Sequence, residues 1–300
     1  MQVDERGLPA RHAGGTCVPR PVRDAAIDAI RVAVRRGGVV EATHRVHVAT
    51  TDGEVWGDPD LAFFFRSSAK PIQAIPFVEG YADLGDDEIA IACASHRAEP
   101  AQLAAVRKVL ARAGATVDDL ENGLQEGRPE GKLGHNCSGK HGGMLAACAA
   151  HGWPLHPYRD PGHPLQQRIA ELMGGGETAT DGCGVPTFPT TLREAAALLT
   201  RTPQRIRDAM RARPELVGGS RDAVDTDLMR LRDGWIAKIG AEGLLCAAHE
   251  DGRGIALKAE DGASRAIGPA LAHVLDIDEL RHVSIRNSRD ELVGVIELAP

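Results

Sequence analysis

Aromatic residues are scarce in this chain, 3% of 300 positions, and no basic excess compensates, since the formal net charge is -7. A nucleic-acid partner asks for Lys and Arg to neutralise phosphates and for rings on which bases stack. Both are in short supply, so nucleic acid is excluded. No apolar run approaches the length that spans a bilayer. The opening MQVDERGLPARHAGG carries charges of both signs and no apolar segment, which reads as neither signal peptide nor membrane anchor. Internal repeats and low-complexity tracts are absent. The six cysteines contain no C-x-x-C pair. The expectation is a cytoplasmic protein with free thiols, of which Cys93, Cys148 and Cys246 sit in Ala-rich stretches as small buried hydrophobes, while Cys17 lies near the tail.

What is present is enough to build a core: hydrophobic residues make up 43% of the sequence. Residues 1–20 read as a flexible arm, and 21–300 as one catalytic domain. Alternating apolar positions at Ile30, Val32, Val34, Val46 and Val48, with a turn at Thr51-Asp52-Gly53, predict an antiparallel meander over 29–57, although 22–35 also fits a helix. The three phenylalanines of LAFFFRSSAKPIQA suggest a buried entry, with Ser67 or Ser68 capping a helix that holds Pro71 in its first turn. Helical periodicity follows at 87–95, 101–113, 139–150, 165–173 and 191–212. Four prolines make 152–164 a loop. Apolar runs broken at Asp251-Gly252 and Asp261-Gly262, a helix near 263–275 and a final pair of strands close the chain. Strands first, helices over about 66–212 and strands last predict an α+β fold whose sheet joins the two termini.

Four short stretches carry chemistry. In Ser67-Ser68-Ala69-Lys70 a hydroxyl and an amine three positions apart share one helix face, a nucleophile with its own base. A lysine amine near pKa ~10.4 would have to fall by roughly three units to act as base at neutral pH, through burial or a second cation. Alone the pattern means little, because a chain of this length contains roughly one S-x-x-K by chance. Ala94-Ser95-His96 and Lys238-Ile239-Gly240-Ala241 follow it in chain order. S-x-x-K, a Ser-led triplet and K-x-G on a late strand form the ordered set of the penicillin-recognising serine enzymes. The fourth is GHNCSGKHGG, residues 134–143, together with DGCGVP at 181–186. Its G-x-x-x-x-G-K matches a phosphate-binding loop, but His141 replaces the Mg²⁺-binding Ser or Thr and no buried strand precedes Gly134, so that reading is rejected. Cys137 and Cys183 with nearby nitrogen donors suit tetrahedral Zn²⁺. On spacing alone, two buried turn cysteines are the better account.

Taken together, FFFRSSAKPIQA, CASHRAEP, LGHNCSGKHGGM, DGCGVPT and AKIGAEG resemble one family, the Rhizobium-etli-type L-asparaginase II group, over roughly residues 30–298. The resemblance implies a serine β-lactamase- and glutaminase-like fold and hydrolysis of L-asparagine to L-aspartate and ammonia. It implies Ser67 as nucleophile with Lys70 as base, and Ser95 with Lys238 as a second tandem. It implies Zn²⁺ on Cys137, Lys140 and Cys183, tuning substrate binding more than chemistry. Arg66, His141 and Asp181 fall near the bound amino acid, and the backbone of Ala241 falls at the oxyanion. A homodimer is implied as well. One position departs: Ala98 stands where the family usually has Gly, so a left-handed turn there would force the loop after Ser95 to shift. Other readings are a Ser–Lys amidase for another amide such as glutamine, a zinc-stabilised amino-acid-binding homologue with little turnover, and a hydrolase using metal-bound water.

Overall fold

Alternating apolar residues near the start of the chain do become strands. The computed structural model describes residues 28–299. The expected arm over 1–20 and Cys17 lie outside the described residues. Strand β1 (Ile30–Arg36) pairs antiparallel with β2 (Val39–Thr50), which turns through Thr51–Gly53 into β3 (Val55–Trp56). From Ile30 onward the helical alternative for 22–35 is therefore not adopted.

From the other end of the chain come β8 (Trp235–Gly240), β9 (Leu244–His249), β10 (Gly254–Ala259), β11 (Val283–Arg286) and β12 (Leu292–Leu298). They join β1–β3 in an 8-stranded antiparallel sheet of order β11-β12-β1-β2-β10-β9-β8, with β3 beside β2. The termini meet at its centre, where Val32 faces Leu298 and Ala49 faces Ala256. This is the expected α+β arrangement. Short strands β4 (Ala62–Phe64) and β7 (Pro189–Thr191) pair with each other, as do β5 (Ala179–Thr180) and β6 (Pro186–Thr187).

A period of two sends successive side chains to opposite faces of the sheet. On β8, Ala237 and Ile239 join Val46, Val48, Leu245 and Leu257 against α11 (Ile267–Leu275). Ile236 instead joins Ala49, Cys246 and Ala248 under the helical lobe, and Lys238 and Gly240 share its parity on the strand. That lobe comprises α1 (Lys70–Gln73), α2 (Ile75–Glu79), α3 (Asp86–Ala92), α4 (Pro100–Arg112), α5 (Ser138–His151), α6 (Pro164–Met173), α7 (Leu192–Leu198), α8 (Gln204–Ala212), α9 (Pro214–Val217) and α10 (Val224–Leu231). Among the described residues no helix is long and apolar enough to cross a membrane.

Local expectations fail where tertiary contacts or proline chemistry override them. The triple phenylalanine is not uniformly buried: Phe64, the last residue of β4, is 41% exposed, and Phe65, just past it, 5%. Neither Ser67 nor Ser68 caps a helix. The chain makes a 3₁₀ turn over Arg66–Ala69 and continues into α1 with Pro71 in its first turn. The helix expected over 191–212 breaks at Thr202-Pro203 into α7, a 3₁₀ turn and α8. Pro203 has no N–H to give, and it holds Thr202 in extended backbone. The helix expected over 139–150 does form, with the glycines of GKHGG inside α5. A Cβ on Gly139 would meet the Ile91 carbonyl oxygen at 2.1 Å, so the missing side chain is what lets α5 lie directly on α3.

Candidate active site

The 3₁₀ turn at Arg66–Ala69 carries position 67 onto the same face as position 70, since side chains three apart eclipse in that geometry. The two serines part company here. Ser68 is fully buried and donates its hydroxyl to the Lys238 carbonyl at 3.0 Å. Ser67 is half-buried and opens toward solvent. Of the pair, only Ser67 is accessible to a substrate.

Lys70 is 0% exposed, and its amine donates to the Ala94 carbonyl at 2.5 Å and to Ser95 Oγ at 3.1 Å. Both acceptors follow the C-terminal end of α3, where helix carbonyls run out of backbone partners. Ser95 is itself fixed by its backbone N–H on the Val217 carbonyl at 2.9 Å. Lys238, also 0% exposed, reaches Asp225 Oδ2 at 3.4 Å and the Ile239 carbonyl at 3.0 Å. The hydrogen bond of Ser95 is thus with Lys70, whereas Lys238 is held by a carboxylate from α10. Burial lowers the Lys238 pKa from 10.5 to about 8; Asp225 opposes that fall and the charge of Lys70 adds to it. A Cβ at Gly240 would meet Ser68 Oγ at 2.9 Å, so the glycine of K-x-G lets β8 close on the 3₁₀ turn. Ala241 opens the turn that joins β8 to β9.

Cys137 caps the start of α5 and Cys183 sits in the turn between β5 and β6, each 4% exposed. The two thiols act on each other. The hydrogen bond from Cys183 pulls Cys137 well below its ordinary range, against burial and with help from Lys70 and Lys140, and the same bond pushes Cys183 up. Lys140 donates to Cys183 Sγ at 3.0 Å. Burial works against its charge, but Cys183, Cys137 and Asp181 outweigh it and raise its pKa. Among the described residues no group of three His, Cys, Asp or Glu side chains is set to hold a metal. The two sulfurs and the lysine nitrogen do converge in a buried spot, a donor set that fits Zn²⁺ once the amine gives up its proton.

Arg66 and Asp181 pair with each other through Arg66 Nε and Asp181 Oδ1, which also accepts the Gly182 N–H at 2.8 Å. The other carboxylate oxygen meets the Cys183 thiol at 3.6 Å. Burial would raise the Asp181 pKa, but Lys140 and Arg66 lower it, so the carboxylate is charged. His141 is fully buried on α5, its Nδ1 2.8 Å from the Tyr158 hydroxyl. Burial pushes its pKa down to about 4, against the opposing pull of the nearby Cys183. Three contributors had no signature in the sequence. Asp225 looks like any acid of a charged stretch, Ser68 like the twin of Ser67, and Tyr158 like a loop residue.

The L-asparaginase II family model matches residues 32–294. Among solved structures, a candidate beta-lactamase from Bacteroides dorei is similar at 12% identity and a TM-score of 0.40, over 84% of this chain and 94% of that one. No curated protein matches the chain in sequence.

Ala98 answers the question its sequence position raised. It adopts φ +63°, so the loop after Ser95 keeps a left-handed turn without glycine. Hydrogen bonds hold it there: Ala98 N–H donates to His96 Nδ1 at 3.1 Å, and the N–H groups of Arg97 and Glu99 both donate to Gln102 Oε1, at 2.9 and 3.1 Å. A left-handed alanine costs about 1–2 kcal/mol, whereas glycine costs about 0.5–1 kcal/mol in unfolded-chain entropy. Ala98→Gly should therefore raise stability by up to about 1 kcal/mol, read as a higher denaturant midpoint at unchanged slope. A lower midpoint would show that the loop is not strained.

Proposed function

The chain belongs to the L-asparaginase II family, a group of amidohydrolases, and from that premise we propose that it hydrolyses the side-chain amide of L-asparagine through an ester on Ser67. The observation that carries the reading is the pair of wholly buried lysines, Lys70 and Lys238, beside a serine that stays accessible. Ser67 Oγ attacks the amide carbon, and its proton passes to Lys70. The N–H groups of Ser67 and Ala241 receive the oxyanion, each worth roughly 3–4 kcal/mol in a water-excluded site. The intermediate collapses as Ser95 hands its proton to the departing nitrogen and takes the one held by Lys70 through the bond between them, while Lys238 on Asp225 maintains positive charge nearby. Water then cleaves the β-aspartyl ester, and Ser67 regains its proton.

An amino-acid substrate is a zwitterion, so its recognition calls for paired charges of both signs. Asp181 takes the ammonium through the oxygen that faces Cys183, and Arg66 turns its fork to the carboxylate. Because the two already neutralise each other, neither is left as a lone half-buried charge when substrate leaves. Cys137, Cys183 and Lys140 would hold Zn²⁺, which when bound supplies a fixed positive charge that orders this side of the pocket. The glutaminase-type and binding-only alternatives lack a specific observation in their favour.

Ser67→Ala should abolish ammonia release from asparagine, while Ser68→Ala should retain it; the reverse pattern would sink the nucleophile assignment. Chelation, followed by metal analysis of the protein, should raise KM about tenfold and leave kcat within a few-fold. Complete loss of kcat would point to metal-bound chemistry instead. Lys238 serves here as an ammonium, so kcat/KM should fall as pH rises through about 8. In Asp225→Asn the counter-charge is gone and that limb should move about one to three units toward acid; an unmoved limb would mean that Lys238 does not report in the profile.

A further inference from the structure

The turn after Ser95 is held by side chains alone. Among the described residues the N–H groups of Arg97, Ala98 and Glu99 give no hydrogen bond to the main chain. Gln102 Oε1 takes the first and the third, at 2.9 and 3.1 Å, and His96 Nδ1 takes the middle one at 3.1 Å. Between those bonds Ala98 sits at φ +63°, a conformation that an alanine leaves when nothing keeps it there. Ser95 stands three residues earlier, so the place of its hydroxyl beside Lys70 depends on how firmly the turn is fixed.

His96 also reaches away from the turn. It is 0% exposed, and its backbone N–H donates to the Asn136 carbonyl at 3.2 Å. Its Nε2–H donates to Ser138 Oγ at 2.8 Å, and that hydroxyl gives its own hydrogen to the Leu133 carbonyl at 2.7 Å. Ser138, likewise 0% exposed, opens α5. One imidazole thus pins the Ser95 turn to the start of a helix, with both ring nitrogens spent. A histidine beside a reactive serine invites a role in proton transfer. This ring has no nitrogen free for it, and burial, with Lys70 and Arg128 adding to the effect, drives its pKa down to about 3. Its part is to hold.

We propose that His96 is a positioning residue, which clamps the left-handed Ala98 turn onto α5 and so sets the Ser95 hydroxyl on Lys70. What Ser95 does there, passing a proton to the departing nitrogen, rests on the asparaginase reading; where Ser95 is held does not.

His96→Gln tests the clamp, since its amide still reaches Ser138 but offers nothing to the Ala98 N–H. Its kcat for asparagine should fall about a hundredfold at nearly constant KM, the loss that follows a small misplacement of a reacting group. A β-aryl ester of L-aspartate provides the contrast. Ser67 Oγ bonds to its acyl carbon, the serine proton goes to Lys70, and the phenolate leaves with the electron pair and needs no proton from Ser95. The phenolate burst should therefore stay within a few-fold of wild type. Ala98→Gly in the same chain removes the strain that pulls the turn away and should restore amide kcat about tenfold. Equal losses on amide and ester overturn the proposal, as does an undiminished amide kcat or no gain from Ala98→Gly. If His96→Gln does not fold, His96→Asn, which keeps an oxygen near the Ala98 N–H and gives up Ser138, is read by the same amide-to-ester ratio. A wild type that releases no ammonia from asparagine overturns the asparaginase reading instead. The crystal structure of the folded variant then decides: Ser95 Oγ should lie beyond hydrogen-bond reach of Lys70, and an intact bond overturns the placement.

Discussion

Two wholly buried lysine amines in one site, those of Lys70 and Lys238, are the constraint around which the rest is arranged. Charge on either, out of water, costs several kcal/mol even after relaxation, and charge on one makes charge on the other less favourable. Each neighbour makes sense as a response. The end of α3 supplies the Ala94 carbonyl and Ser95 to Lys70, while α10 brings Asp225 under Lys238. Ser68 gives up its own reactivity to tie the 3₁₀ turn to β8. Removing Ser95 would leave Lys70 on the Ala94 carbonyl alone, and removing Asp225 would leave Lys238 on the Ile239 carbonyl alone. The helical lobe and the sheet are therefore joined by polar contacts at the very point where an apolar seam would be cheaper.

How much of this could be read from the residues follows from how local each interaction is. The sheet strands were legible because alternation is a property of a few consecutive positions, as at Ile30, Val32 and Val34. Ser67, Lys70, Ser95 and Lys238 were legible as an ordered set, each embedded in a short distinctive block. What stayed hidden was pairing. Asp225 lies 13 positions before Lys238 and comes to it only because α10 packs on β8. Ser67 and Ser68 are indistinguishable until β8 arrives and engages one of them. In the same way the resemblance set Arg66 and Asp181 in one neighbourhood, but their neutralising each other was not visible. The helix assigned to 191–212 failed for a reason that was visible, since Pro203 lies inside the window.

The glycines of GHNCSGKHGG show what a helix can do with missing side chains. Gly139, Gly142 and Gly143 lie in the helical backbone that the periodicity predicts and serve close approach. The missing side chain at Gly139 lets α5 settle on α3, which brings Cys137 and Lys140 near the lysine that α3 helps to hold. Packing and electrostatics thus share a cause: the closer the helices, the drier the thiols and amines between them, and the stronger each charge felt by the next.

Strand β8, the edge that carries Lys238, is anchored to the first strands only through β9 and β10, while β1 and β2 must wait for partners made from the far end of the chain. Pairings between positions so distant in sequence close late and slowly, because their loops cost entropy before any contact rewards them. Ser67, Lys70 and Ser95 belong to an earlier and more local part of the chain, whereas Asp225 and Lys238 can join them only when the sheet is complete. The site is in this sense a clock reading: the second lysine reaches its place as the last strands do, and a half-folded chain carries the accessible serine without its full set of buried lysines.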